Sequence, residues 1–250
     1  MGDGMGGHSI TQLIEGKEFM KKTIGIIGGM GPLATVDLFS KIVRLTKAEK
    51  DSDHLHILID NDTNIPSRMD AILRGGPDPS VEMCKSAVRL EKAGAEILII
   101  GCNTAHYYYP AVRAAVRVPI LNMLEVTADE VVRQKIKKVG LLATDAVMNL
   151  KLYEDALLKR KIEVIKPNAE GQEAVMQIIF QGVKAGKTSY DTERFLKMLS
   201  TLQAQGAGTV ILGCTELPLA FQLYGIQYPS LDPTAVLAAA AIRAAGGETI

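Results

Sequence analysis

Gly101-Cys102-Asn103-Thr104 and, about 112 residues later, Gly213-Cys214-Thr215-Glu216 each follow a run of apolar residues. The likeness extends upstream, where Ala93-Gly94-Ala95-Glu96-Ile97-Leu98-Ile99-Ile100 and Gln205-Gly206-Ala207-Gly208-Thr209-Val210-Ile211-Leu212 match position for position. Earlier still, Thr23-Ile24-Gly25-Ile26-Ile27 echoes Lys138-Val139-Gly140-Leu141-Leu142. After the cysteines, Val118-Pro119-Ile120-Leu121 answers Tyr228-Pro229-Ser230-Leu231. This period is far longer than that of solenoid repeats, so the chain reads as two copies of one small domain.

Each copy alternates short apolar strands with helical patterns, which implies parallel βαβ units. The expected fold is α/β, with two similar doubly wound lobes related by pseudo-twofold symmetry and a site in the cleft between them. Residues 1–20, glycine-rich and unpatterned, read as a disordered leader or an expression remnant. The N-terminal lobe is expected over 21–120, a linking helix within 121–136 and the C-terminal lobe over 137–250. In the first lobe, Thr23 to Ile27 is a buried strand, and Gly28-Gly29-Met30-Gly31-Pro32 turns into a helix expected to face Val36, Phe39, Val43 and Leu45 inward. His54 to Asp60 is a second strand, Ser80 to Ala93 a helix and Ile97 to Ile100 the strand that delivers Cys102. In the second lobe, helices are expected at Ala146 to Lys159, Gly171 to Lys184 and Thr192 to Gln205, before the strand that delivers Cys214. An alanine-rich helix from Pro233 to Ala245 is expected to finish that lobe.

Composition excludes several partners. The 250 residues are 47% hydrophobic and 22% charged with zero net charge, so there is no electrostatic footprint for nucleic acid or an anionic membrane. No apolar run approaches the length of a membrane span. Three cysteines, without a secretory segment, suit free thiols in a reducing, cytoplasmic compartment. Cys84 falls in an amphipathic pattern with Val81, Ala87 and Val88 and reads as a buried apolar filler.

The glycine turn after the first strand lacks the G-x-G-x-x-G spacing of a dinucleotide site. Close strand-to-helix approach is the favoured reading, and capture of a small carboxylate by backbone N–H groups is a second. Arg68 follows the C-terminal end of the second strand, where ligands of open α/β sheets lie. There it could hold a carboxylate bidentately or stand as a solvated surface arginine. Cys102 and Cys214 also sit at strand C-terminal ends, and pseudo-twofold packing would bring them face to face. Two thiols flanking one carbon suit racemisation, in which a thiolate takes a proton from one face and a thiol gives one to the other. The opposing readings are inert buried thiols, a disulfide or a metal site. The last lacks C-x-x-C or nearby histidine spacing.

Gly25-Ile26-Ile27-Gly28-Gly29-Met30-Gly31-Pro32-Leu33-Ala34-Thr35, Gly101-Cys102-Asn103-Thr104-Ala105-His106 and Gly213-Cys214-Thr215-Glu216-Leu217-Pro218-Leu219 together resemble the aspartate/glutamate racemase family, specifically its aspartate racemase branch. The likeness runs from about Lys21 to Ala245. It implies two-base racemisation of L- and D-aspartate with no cofactor, neither pyridoxal phosphate nor a metal. By this resemblance Cys102 and Cys214 transfer the protons. Met30, Asn103, Thr104, Ala105, Thr215 and Glu216 would surround the amino acid, and Arg68 and Lys184 would bind its side-chain carboxylate. Ser67 departs from the family, whose members often have an acidic residue there. Glu216 stands where cell-wall glutamate racemases typically carry histidine, which favours aspartate, although broad-specificity relatives share this glutamate. A broad-specificity aspartate/glutamate racemase, a maleate isomerase, a hydantoin racemase and a malonate decarboxylase are the enzymatic alternatives, the last opposed by the presence of both cysteines, and a small-molecule binding module is the non-enzymatic one. The resemblance also implies a homodimer, with Tyr107-Tyr108-Tyr109 as an apolar anchor at the interface or a wall of the site.

Overall fold

The computed structural model describes residues 21–250, so the expected leader lies outside the described residues. The first half runs β1 (Ile24–Ile27), α1 (Pro32–Leu45), β2 (Ile57–Asp60), α2 (Arg68–Arg74), α3 (Ser80–Lys92), β3 (Ile97–Ile100), α4 (Tyr109–Ala114) and β4 (Ile120–Leu121). Next come α5 (Met123–Arg133), β5 (Lys138–Ala143), α6 (Asp145–Asn149), α7 (Leu152–Leu158), β6 (Glu163–Ile165) and α8 (Ala169–Gln177). A π-helical segment Ile178–Val183, α9 (Glu193–Ala204), β7 (Val210–Gly213), α10 (Glu216–Leu223), β8 (Ser230–Leu231) and α11 (Pro233–Ala244) complete the chain.

Two four-stranded sheets result, in the orders β2-β1-β3-β4 and β6-β5-β7-β8, and every strand pair is parallel. The central strands β1, β3 and β7 are buried along their whole length, as β-branched strands covered by helices on both faces must be. The lobes repeat down to single contacts. A methyl group on Gly25 would stand 2.5 Å from Leu98 and 2.9 Å from Ala95, and one on Gly140 would stand 2.8 Å from Val210 and 3.5 Å from Ala207. Glycine at both positions lets the neighbouring strand and helix end close in. Strand order reverses direction around β1 and β3 and around β5 and β7, and open α/β sheets bind ligands at the C-terminal side of such switch points.

The lobes also exchange helices. α5 follows β4 but buries Leu124, Ala128 and Val131 among Val139, Leu141 and Ile211 of the second sheet. α11 follows β8 but buries Leu237, Ala238, Ala241 and Ile242 among Ile24, Ile26, Ile97 and Ile99 of the first. The alanine-rich helix thus fills the core of the lobe it was not expected to join. Both exchanged helices start on equivalent caps: Asn122 accepts from the amides of Leu124 and Glu125, and Asp232 from that of Thr234. Lys41 of α1 reaches Asp232 at 2.6 Å and fixes the start of α11 against the first lobe.

Four further expectations change. α1 packs through Ala34, Thr35, Leu38 and Ile42, leaving Val36, Phe39 and Val43 exposed. Leu38 and Ile42 pack with Leu237, Ala238, Ala241 and Ile242 of α11, and that contact selects the buried face. The helix expected over Ala146 to Lys159 breaks into α6 and α7 at Lys151, whose φ is 52°. The helix expected over Gly171 to Lys184 changes to π-helical hydrogen bonding after Gln177. Cys84 is half-buried on the flank of a core cluster, and Val81 beside it is exposed.

Candidate active site

β3 ends at Ile100, and Gly101 carries the ladder one step further by donating its N–H to Ile27 O at 3.1 Å. Cys102 follows, buried, and a 3-10 turn from Thr104 to Tyr108 redirects the chain. His106 holds this turn in place. Its Nε2 accepts from the backbone N–H of Met123 at 3.0 Å, so the ring proton is on Nδ1 and is donated to Cys102 O at 2.9 Å. Full burial pushes the imidazole pKa down to about 4, against the hydrogen bonds to Cys102 and Asn103 that favour the charged form. The neutral ring therefore ties the Cys102 loop to the start of α5. Asn103 is also buried: its Oδ1 accepts from the hydroxyl of Tyr153, and its Nδ2 has no partner among the described residues.

β7 delivers Cys214 in the same way, but here the chain enters α10 directly, with Thr215 at the cap position. The Cys214 thiol donates to Glu216 Oε2 at 2.9 Å, and Thr215 Oγ1 donates to the same oxygen at 3.2 Å. The other carboxylate oxygen pairs with Lys184 Nζ. Burial opposes the charges on Glu216 and Lys184, yet their attraction prevails: Glu216 is held below the usual carboxylate range and Lys184 above the usual amine value. Burial, and then the neighbouring Glu216 charge, push the Cys214 thiol well above its ordinary value. Lys184 directly follows the π-helical segment, a local geometry frequent at functional sites. Its Nζ also lies 5.8 Å from the centre of the Phe180 ring.

One cavity of about 510 Å³ takes in both loops. Cys102, Asn103, Thr104, Cys214, Thr215 and Glu216 line it together with Met30, Arg68 and Lys184. Every site residue expected from sequence except Ala105 therefore faces one space. Ala105 differs because the 3-10 turn directs it into the core of the first lobe, with no exposed surface. Tyr109 uses its hydroxyl to hold Ile120 O at 3.0 Å, and Tyr107 stays half exposed, so none of the three tyrosines lines the cavity.

Arg68 is bound less simply than expected. Its Nη1 donates to Ile65 O at 3.2 Å and Pro66 O at 2.7 Å, and its Nη2 to Met30 O at 3.1 Å, while Nε is buried without a partner among the described residues. The guanidinium thus braces the loops after β1 and β2 and keeps part of its donor fork in reserve. Lys184 is likewise already paired. The glycine turn proves to be a packing device: Gly29, at φ 83°, lies so close to Asp62 that a methyl group would meet backbone at 2.3 Å, and its N–H is taken by Thr35 Oγ1 at 2.9 Å.

Sequence reasoning missed α2, which adds Met69, Asp70 and Arg74 to the wall. Ser67-Arg68-Met69-Asp70 carries the signal, a serine three residues before an acid, and Ser67 Oγ does accept from the Asp70 amide at 3.2 Å. Met176 and Phe180 add an apolar side. Thr144 crosses the cleft to within 3.5 Å of Thr104. Among the described residues no three His, Cys, Asp or Glu side chains gather as a metal site, and no helix is long and apolar enough to cross a membrane.

Known proteins share the sequence pattern and the fold. The sequence is 31% identical over 223 residues to a broad specificity amino-acid racemase of Bacillus subtilis, covering 86% of this chain and 94% of that one. The fold superimposes on an aspartate racemase of Picrophilus torridus with a TM-score of 0.79 at 30% identity, covering 92% of this chain and 96% of that one. It also superimposes on an aspartate racemase homologue of Pyrococcus horikoshii with a TM-score of 0.73 at 27% identity, covering 91% and 100%. The sequence pattern that defines the Asp/Glu/Hydantoin racemases matches residues 27–241. With that pattern spanning both cysteine loops and both sheets, the chain belongs to the Asp/Glu/hydantoin racemase family.

Proposed function

We propose that this racemase interconverts L- and D-aspartate, with Cys102 and Cys214 as the two proton-transfer groups. The observation that carries the reading is that the two thiols, brought by equivalent strands of separate lobes, line one cavity. One thiolate takes the α-proton, so the Cα–H bond breaks, an S–H bond forms, and the electron pair passes into the α-carboxylate as a carbanion-like state. The opposite thiol then gives its proton to the other face of Cα. The products are the mirror-image amino acid and a pair of thiols whose protonation has been exchanged. Cys214, hydrogen-bonded to the charged Glu216, is the acid of the resting pair, and Cys102 is the base. Arg68 and Lys184 serve the side-chain carboxylate, using the donors that their existing partners leave free.

Incubation with L-aspartate followed by chiral chromatography tests this directly. The expected result is a progressive approach to equal amounts of both enantiomers, and an enantiomerically unchanged substrate rejects the assignment.

A broader substrate range is a second reading, favoured by the pairing of Lys184 with Glu216 and by the apolar wall of Met69, Met176 and Phe180. A cation already neutralised demands less of its substrate than a bare one. The similarity to a broad specificity racemase agrees with this reading. Racemisation of glutamate or neutral amino acids at rates near that of aspartate would establish it. For assembly, the exposed Leu33, Val36, Phe39 and Val43 of α1 form an apolar face that supports a homodimer. Sedimentation at micromolar concentration checks that assignment. Three unpaired thiols fit a cytoplasmic enzyme.

A further inference from the structure

We propose that Tyr153 is a positioning residue that locks the two cysteine loops to one another. It is fully buried and stands outside the cavity wall, so it meets the site only through other residues. Tyr153 is fully buried in α7 of the second lobe, yet its hydroxyl crosses to the first lobe and donates to Oδ1 of Asn103, the residue after Cys102. The same ring lies against Gly213, the residue before Cys214. A methyl group there would come within 3.2 Å of Tyr153 Cε2 and 3.1 Å of Ala143 Cβ. One rigid side chain therefore contacts both loops, and glycine at 213 leaves room for the ring together with Ala143 and the Leu142 carbonyl.

The contact with Asn103 has a mechanical consequence. Asn103 directly follows Cys102 and lines the cavity. The Tyr153 hydroxyl is the one side-chain anchor of its amide among the described residues. In this assignment, which rests on the racemase reading above, that anchor holds the Cys102 loop at a fixed place relative to the Cys214 loop. The break between α6 and α7 at Lys151 gives α7 the separate course from which Tyr153 reaches Asn103.

The test uses the full chain and two substitutions, Tyr153→Phe and Asn103→Ala, singly and combined. Racemisation of L-aspartate and thermal unfolding are followed for each. Removing the hydroxyl but keeping the ring is expected to lower kcat/KM roughly 10- to 100-fold, the scale of a small misplacement in the site, while the melting transition stays cooperative and falls by no more than one lost buried hydrogen bond accounts for. The double variant should be no slower than Asn103→Ala alone, because Tyr153 acts through that amide. A merely structural tyrosine would give effects that multiply. Wild-type kcat/KM in Tyr153→Phe, multiplying effects in the double variant, or a markedly lowered melting temperature each overturns the inference. A wild-type chain that leaves L-aspartate unchanged overturns the functional reading first, and this inference with it.

Discussion

The Cys102 and Cys214 loops descend from equivalent strands and line one cavity, yet they are held by opposite physical means. Around Cys102 the supports are neutral: an uncharged His106 bridging Cys102 O and the Met123 amide, and an Asn103 amide fixed by a tyrosine hydroxyl. Around Cys214 they are ionic: a buried Glu216 carboxylate accepts from the thiol and from Thr215 and is balanced by Lys184. Two equivalent strands thus supply two thiols in different surroundings, and at the second, burial and then the Glu216 carboxylate hold the Cys214 proton in place. That difference is useful to a two-base racemase, whose resting state needs one thiol protonated and the other not. It also predicts where each half is vulnerable.

The largest effect should come from the thiols themselves. Cys102→Ser or Cys214→Ser replaces one proton-transfer group with a hydroxyl far too weak an acid to take its place, and racemisation should fall by about 10³-fold or more. Half of the chemistry should persist: in D₂O each variant is expected to exchange the α-hydrogen of one enantiomer only, with retention. The two variants should prefer opposite enantiomers. Near-wild-type racemisation in either would remove the two-base mechanism.

The neutral side of the comparison predicts an acid weakness confined to the Cys102 loop. Unfolded, His106 binds a proton below about pH 6.5. Folded, it stays neutral until about pH 4. Its folded pKa is depressed, so the native state is unaffected above pH 6.5 and loses stability as pH falls from there. The loss reaches about 3 kcal/mol near pH 4. The equivalent offset in the second lobe is Pro218, which cannot titrate. Urea unfolding of His106→Gln across this range should show a shallower pH dependence than wild type, and identical slopes would dismiss the assignment.

Much of this arrangement is legible in sequence, and for physical reasons. The paired Gly25 and Gly140 mark strands that a side chain cannot approach, and the apolar runs ending at Ile100 and Leu212 mark strands buried on both faces. With these the parallel sheets and the placement of both cysteines follow. What was hidden depends on choices that local pattern does not encode. α1 carries two apolar faces, and only the close approach of α11 selects Ala34, Leu38 and Ile42 over Val36, Phe39 and Val43. α11 itself would fit either sheet by composition, since alanines pack anywhere. The tyrosine that reaches Asn103 had no motif, because its function lies in a contact across 50 residues and two lobes. α2 is a case where the signal existed, in Ser67 and Asp70, and the helix was short enough to be overlooked.

The matched glycines sharpen the comparison of the lobes as scaffolds. Gly25→Ala and Gly140→Ala each overpack a core and should cost about 1–3 kcal/mol. The first should be worse, since its added methyl meets Leu98 at 2.5 Å and Ala95 at 2.9 Å, against 2.8 Å and 3.5 Å for the equivalent neighbours. Denaturant midpoints of the two variants measure this. A larger loss for Gly140→Ala would mean that the second lobe is the more tightly packed.

The ionic side yields the subtlest effect, a displaced pH profile that is read separately from any loss of rate. Cys214 owes its raised pKa first to burial and then to the Glu216 charge, with Lys184 acting in the opposite sense. Glu216→Gln removes the carboxylate charge and leaves Lys184 unopposed, and both changes make the Cys214 proton easier to lose. The alkaline limb of kcat/KM, where the thiol pair loses its last proton, should therefore move to lower pH. Lys184→Met should do the reverse, because an unbalanced Glu216 charge holds that proton more firmly. The thiols titrate as a coupled pair, so the limb belongs to both, but the opposite signs of the two displacements do not depend on how the pair is partitioned. Displacements in the same direction, or an alkaline limb that neither variant moves, would show that the proton lost there is not held beside Glu216, and the division of the site into a neutral half and an ionic half would lose its mechanistic meaning.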